Sequence, residues 1–152
     1  MPLTLADHFA LVEDEYRQSL AAPLSVRQAF LTAVLIDHLP DRAFAAYRAS
    51  DPTKVFDAED LPAYRALLRS RSRALADIFD LCALKPDGPV LKVVAIAVPI
   101  SDYPSLSVQD FMVSLYNGNT VQGVVVAWPD GAQTLVHEVL AEGIRDAGTV
   151  EA

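Results

Sequence analysis

The spacing of apolar residues divides this chain at Lys85-Pro86-Asp87-Gly88-Pro89. Upstream, apolar positions recur every three or four residues, the period of amphipathic helices; downstream they form valine-rich runs closed by one more helical stretch. Leu5, Phe9, Val12, Tyr16 and Leu20 share a face of a first helix that opens at Thr4, with Asp7 at capping-box spacing, and ends at Ala21-Ala22-Pro23. A second helix opens at Ser25 and Gln28. Val26, Phe30, Ala33 and Val34 form its apolar face, and Leu31, Leu35 and Leu39 widen it, as expected of a central element. Pro40 lacks an amide hydrogen, so the pattern predicts a break or kink there and a further helical piece over 41–48. After a loop over 54–59, Asp60 caps a long helix reaching Leu84. Its inward stripe is Leu61, Tyr64, Leu68, Leu75, Ile78 and Cys82, interrupted by Arg71-Ser72.

Residues 90–98 read as a strand. Val90, Val94, Ile96 and Val98 face one way and Leu91, Val93, Ala95 and Ala97 the other; with only Lys92 intervening, both faces are expected to be covered. Residues 111–116 and 121–128 flank Asn117-Gly118-Asn119-Thr120, a hairpin signal. The connection over 101–110 has no clear form. Pro129-Asp130-Gly131 turns the chain, and Leu135, Val136, Val139, Leu140 and Ile144 then predict a last helix over 132–147, with a strand over 133–139 as the alternative.

The expected fold is α+β. An N-terminal layer of three to four helices packs on a small antiparallel sheet of about three strands, closed by a C-terminal helix. Residues 1–152 form one domain, helical over 1–85 and strand-rich over 86–152. Strands apolar on both faces need helices or a second subunit over them, so a homodimer is expected.

Composition agrees with a globular chain: among 152 residues, 52% are hydrophobic and 21% charged, enough for a core without disulfides. The single cysteine, Cys82, excludes an internal disulfide and fits a reducing compartment. The first residues carry no basic, apolar export signal. The uncharged run 111–129 holds Asn117, Asn119 and Gln122, which suit a turn and not a membrane span. A soluble, cytoplasmic protein is expected, with no membrane partner. Net charge is −8, of which residues 1–85 contribute −2 and residues 86–152 contribute −6. That balance opposes binding to nucleic acid.

No reaction is named by the chemistry-bearing residues. His8 and His38 each follow an aspartate, but neighbours on a helix point about 100° apart and do not chelate together, so no metal is expected. Cys82 falls near a helix C-terminus, where the dipole disfavours a thiolate. The serines lack a nucleophile elbow and the six glycines make no phosphate loop, so no cofactor is expected. Two constellations stand out. Arg65, Arg69 and Arg73, spaced by four with Arg71 to the side, form a row able to grip an anion or an acidic partner. Its counter-charges would be Asp77 and Asp80, or the acidic C-terminal part. Tyr116, Trp128 and His137, with Tyr103 nearby, are candidates to rim a pocket. The expected function is a non-enzymatic interaction or regulatory module that self-associates. The alternative is a small-molecule binder or enzyme with a pocket between the sheet and the helices.

Overall fold

The computed structural model describes residues 3–97 and 120–148. Its elements are α1 (Leu5–Ala21), α2 (Val26–Tyr47), a 3-10 turn (Pro52–Val55), α3 (Leu61–Arg71), α4 (Arg73–Ala83), β1 (Val90–Ala97), β2 (Thr120–Ala127), β3 (Gln133–Leu135) and α5 (Val136–Gly148). The arrangement is the expected α+β one: a helical layer, an antiparallel sheet of order β1-β2-β3, and a C-terminal helix.

Helix starts follow their capping side chains. The Thr4 hydroxyl accepts the Asp7 amide while the Asp7 carboxylate accepts the Thr4 amide, each at 3.1 Å. Ser25 and Asp60 accept the amides of Gln28 and Ala63 at 3.0 and 2.8 Å. Two helical expectations are corrected. Proline does not divide α2, which runs through Pro40 as one helix, and the proline ring is itself buried with Leu39 and Ala43. The hydrogen bond lost at Pro40 is offset by tertiary burial. Conversely, the long helix expected from Asp60 to Leu84 is two helices. Ser72 adopts an extended conformation, its amide closing α3 on the Leu68 carbonyl and its hydroxyl capping α4 at the Leu75 amide.

The core lies between helices and sheet and draws on both parts of the chain. Phe9, Val12, Ile36, Leu39, Tyr64, Leu75 and Ile78 pack with Val124, Val126, Val136 and Leu140. α2 is central, touching α1, α3, α4, α5 and β1. Tyr64 is the bulkiest fully buried side chain among the described residues, its ring 5.9 Å from those of Phe44 and Phe56. Burial pushes its phenol up to about 12, and the hydroxyl has no hydrogen-bond partner among the described residues. α5 descends onto α2 and α4 at Gly143. A Cβ there would lie 2.4 Å from Ile78 Cδ1, with Ile36 and Leu75 methyls behind it.

β1 pairs with β2 along its length, Val90 opposite Ala127 and Ala97 opposite Thr120. The short β3 pairs with β2 only at residues 125–127. β3 corrects the last-helix expectation: residues 133–135 are strand, and the helix starts at Val136. The reversal before it uses Gly131 at φ +93, a conformation that favours glycine, with Trp128 and Ala132 bonded across the turn.

Coverage of the strands also differs from expectation. β2 is buried on both faces, Val124 and Val126 toward the core and Val125 and Ala127 on the other side. β1 is not: Val90 is 56% exposed and Val93 42%. Among the described residues β1 is an outer strand of the sheet, in contact with α2. The expected hairpin strand 111–116 and its Asn-Gly turn lie outside the described residues.

Gly143→Ala exchanges a small gain in helix propensity for a clash in a filled core, and is expected to cost about 1–2 kcal/mol. Ile78→Val removes the methyl that would be struck. The double variant is therefore expected to be more stable than the two single effects added together, which thermal unfolding of all four proteins will show. Strict additivity would place the strain elsewhere.

Candidate functional site

A cleft of about 620 Å³ opens between the α3–α4 junction and the β3–α5 segment. One wall is Arg71, Ser72, Arg73, Ala74 and Asp77; the other is Thr134, Glu138, Val139, Glu142 and Asp146. Helical periodicity builds the second wall, because Glu138, Glu142 and Asp146 stand four apart on α5. The break at Ser72 builds the first, by turning α4 away from α3 and leaving three consecutive polar residues at the mouth.

Ser72 ties the walls together. It is buried, and its hydroxyl donates to Asp146 Oδ2 at 2.5 Å while accepting the Leu75 amide. Both directions of the hydroxyl are therefore occupied, and this serine is a brace with no free access to a substrate. Arg73 Nε donates to Asp77 Oδ1 at 3.2 Å. Burial raises the Asp77 carboxyl, and the Arg73 partner only partly opposes it. Arg71 is held differently, its guanidinium 4.1 Å from the centre of the Phe56 ring. Phe56 reaches that position because it and Asp57 adopt left-handed backbone at φ 58 and 55. Residues without glycine's freedom take that conformation at a cost of about 1 kcal/mol, offset here by the ring's contacts with Tyr64 and Arg71.

The expected arginine row is not a single row, since Arg73 begins a new helix. Arg65 turns to α2, donating to Asp37 Oδ1 at 2.5 Å and Asp41 Oδ1 at 3.0 Å, and lies over the Phe79 ring. Arg69 donates to Asp80 at 2.7 Å, and its pKa is raised first by that bond. Among the described residues the carboxylate partners of Arg65, Arg69 and Arg73 thus lie within 1–85, not in the acidic C-terminal part. Arg73 alone of the three lines the cleft.

Of the pocket candidates, Tyr116 lies outside the described residues, as does Tyr103. Trp128 packs against the core at the end of β2. His137 reaches α1, donating from Nε2 to the Ser19 carbonyl at 3.2 Å. Neither Trp128 nor His137 lines the cleft. Glu138, the neighbour of His137, does, and so does Arg71, the arginine outside the expected row. The four-residue spacing of the α5 acids was visible in the sequence; the helix break that makes Arg71 face them was signalled only by Ser72.

Elsewhere the groups are structural. His8 is buried and donates from Nε2 to the Leu35 carbonyl at 2.8 Å, while its Nδ1 meets no donor or acceptor among the described residues. Burial pushes the Cys82 thiol up to about 12, with Asp37 adding to the effect and Arg65 opposing it. Among the described residues no group of three or more His, Cys, Asp or Glu is placed to hold a metal ion, and no helix is long and apolar enough to cross a membrane. No protein-family model matches the chain, and no curated protein or solved structure matches it.

His8, buried, and His137, half-buried, give a testable pH dependence. Burial holds both below their ordinary value of 6.5; the Leu35 and Ser19 carbonyls oppose this, and Arg42 and His38 press His8 further down. Their stabilisation is complete above 6.5 and is lost as pH falls through the folded-state values, because the unfolded chain takes the protons first. Asp77, raised above 3.8, acts with the opposite sign in the window just above that value. Urea midpoints are expected to drop between about pH 7.5 and about pH 5.5. The drop should be largely absent in the His8→Gln/His137→Gln double variant; an equal drop in that variant would refute the assignment.

Proposed function

We propose that this chain is a non-catalytic protein that binds a small polar molecule in the cleft between the α3–α4 junction and α5. One observation carries the reading: a cleft of about 620 Å³ whose two walls bear opposite charge. That volume falls within the range of small-ligand sites. The engaged hydroxyl of Ser72 and the high pKa of the Cys82 thiol support binding without nucleophilic chemistry. A single, half-buried cysteine fits a cytoplasmic setting.

A ligand that binds only the native state stabilises it by mass action. At a hundredfold excess over Kd this amounts to about 2.7 kcal/mol, or roughly 5–10 °C in a chain of this size. Thermal unfolding across a broad panel of polar metabolites, with native mass spectrometry, is expected to find at least one such compound. Its effect should disappear in Arg71→Ala. A flat response across the panel, with no retained ligand, rejects the reading.

A second reading, self-association, is favoured by the exposure of Val90 and Val93 on a strand that is outermost among the described residues. The occupant would be a second copy of the chain. Two antiparallel edges pair about a two-fold axis with the same surface on each side, and joining two β1 strands would extend the sheet. Sedimentation at micromolar concentration would then give twice the 16.5 kDa chain mass. The Val93→Lys variant would give the single mass. A wild-type protein sedimenting as one chain removes this reading and leaves the cleft unaffected.

A further inference from the structure

We infer, resting on the small-molecule reading above, that the cleft takes a small zwitterion with its ammonium and carboxylate at opposite ends, the chemistry of short peptides with free termini and of ω-amino acids. The inference comes from counting which charges of the cleft are already answered. Arg73 and Asp77 answer each other at 3.2 Å. Glu142 is paired with Arg145, and Asp146 holds the Ser72 hydroxyl. Two charges of the lining have no ion pair or hydrogen bond among the described residues, Arg71 on one wall and Glu138 on the other.

Their surroundings suit complementary ends of one ligand. The Phe56 ring occupies one face of the Arg71 guanidinium, which leaves its in-plane N–H groups for a carboxylate. Glu138 lies in the first turn of α5, and its carboxylate can accept from an ammonium. With the other charges answered, a simple anion at Arg71 would leave Glu138 unanswered, and a simple cation at Glu138 would leave Arg71 unanswered. A molecule with both charges avoids either penalty. The two charges stand on opposite walls, so the ligand carries its own apart: an α-amino acid has both on one carbon, whereas each further residue adds roughly 3.5 Å. Ala74 and Val139 offer apolar surface to the stem between the ends, and Thr134 places a hydroxyl beside it.

The test uses the full chain with trialanine, aminocaproate and free alanine, each compared with its N-acetylated and carboxamide forms, by calorimetry and thermal unfolding. Trialanine, aminocaproate or both are expected to bind, with each blocked form at least about tenfold weaker because one charge-assisted contact is lost. Binding by trialanine alone would identify peptides, and binding by aminocaproate alone ω-amino acids. The variants add a readout that mere destabilisation would not produce. Arg71→Ala should bind the parent and its carboxamide equally, and Glu138→Gln the parent and its N-acetyl form equally. Blocked forms that bind as well as the parents overturn the inference, as does tighter binding of free alanine. If neither zwitterion binds while another metabolite of the wider panel does, the inference fails and the small-molecule reading stands. If nothing binds, both fail.

Discussion

One hydroxyl, that of Ser72, holds three elements in register. By accepting the Leu75 amide it starts α4, and by donating to Asp146 it fastens α5 across the cleft. Its extended backbone ends α3 and redirects the chain, so that Arg71 and Arg73 emerge on either side of the break. A serine at an N-cap contributes about 1 kcal/mol through the cap alone. The second bond reaches 74 residues along the chain and joins the helical part to the last described helix. The cleft exists because a helix stops at this residue and another helix is tied to it.

Packing makes that tie possible. α5 lies close to α2 and α4 because Gly143 presents no side chain to Ile78, Ile36 and Leu75. The apolar face of α5, Val136, Val139, Leu140 and Ala147, joins the core on one side, which leaves the row of acids on the other. The two faces of α5 thus divide the labour between fold and site. On the opposite flank, Arg65 is half-buried between Asp37, Asp41 and the Phe79 ring. A guanidinium satisfied on several sides fastens α3 to α2 more firmly than the exposed Arg69–Asp80 pair can.

The features legible in the sequence were those set locally. Thr4, Ser25 and Asp60 announced their helices because capping is short-range chemistry between residues three apart. Three features were hidden by coincidences of period or by tertiary burial. Leu68 and Leu75 lie seven residues apart, so the apolar stripe keeps its phase across Ser72 and conceals the break. At Pro40 the local rule predicted an interruption, and core packing overrode it. β3 is three residues long, too short for strand alternation to stand out from the helical spacing that follows it. The valine pattern of β1 identified a strand but could not say how far the helical layer extends over it. The cleft was partly readable, in the acids of α5. Its Arg71 was not, since a continuous helix would have pointed that side chain away from the others.

The acidic wall of the cleft belongs to the last described helix, and this links occupancy to the integrity of that helix. Terminal helices open locally at less cost than the core they rest on. A molecule bridging Arg71 and Glu138 would have to leave before α5 could lift from α4. Saturation of the cleft and resistance of this helix to fraying would then be one equilibrium observed in two ways, so that the concentration of a small solute would set how long the segment survives a protease.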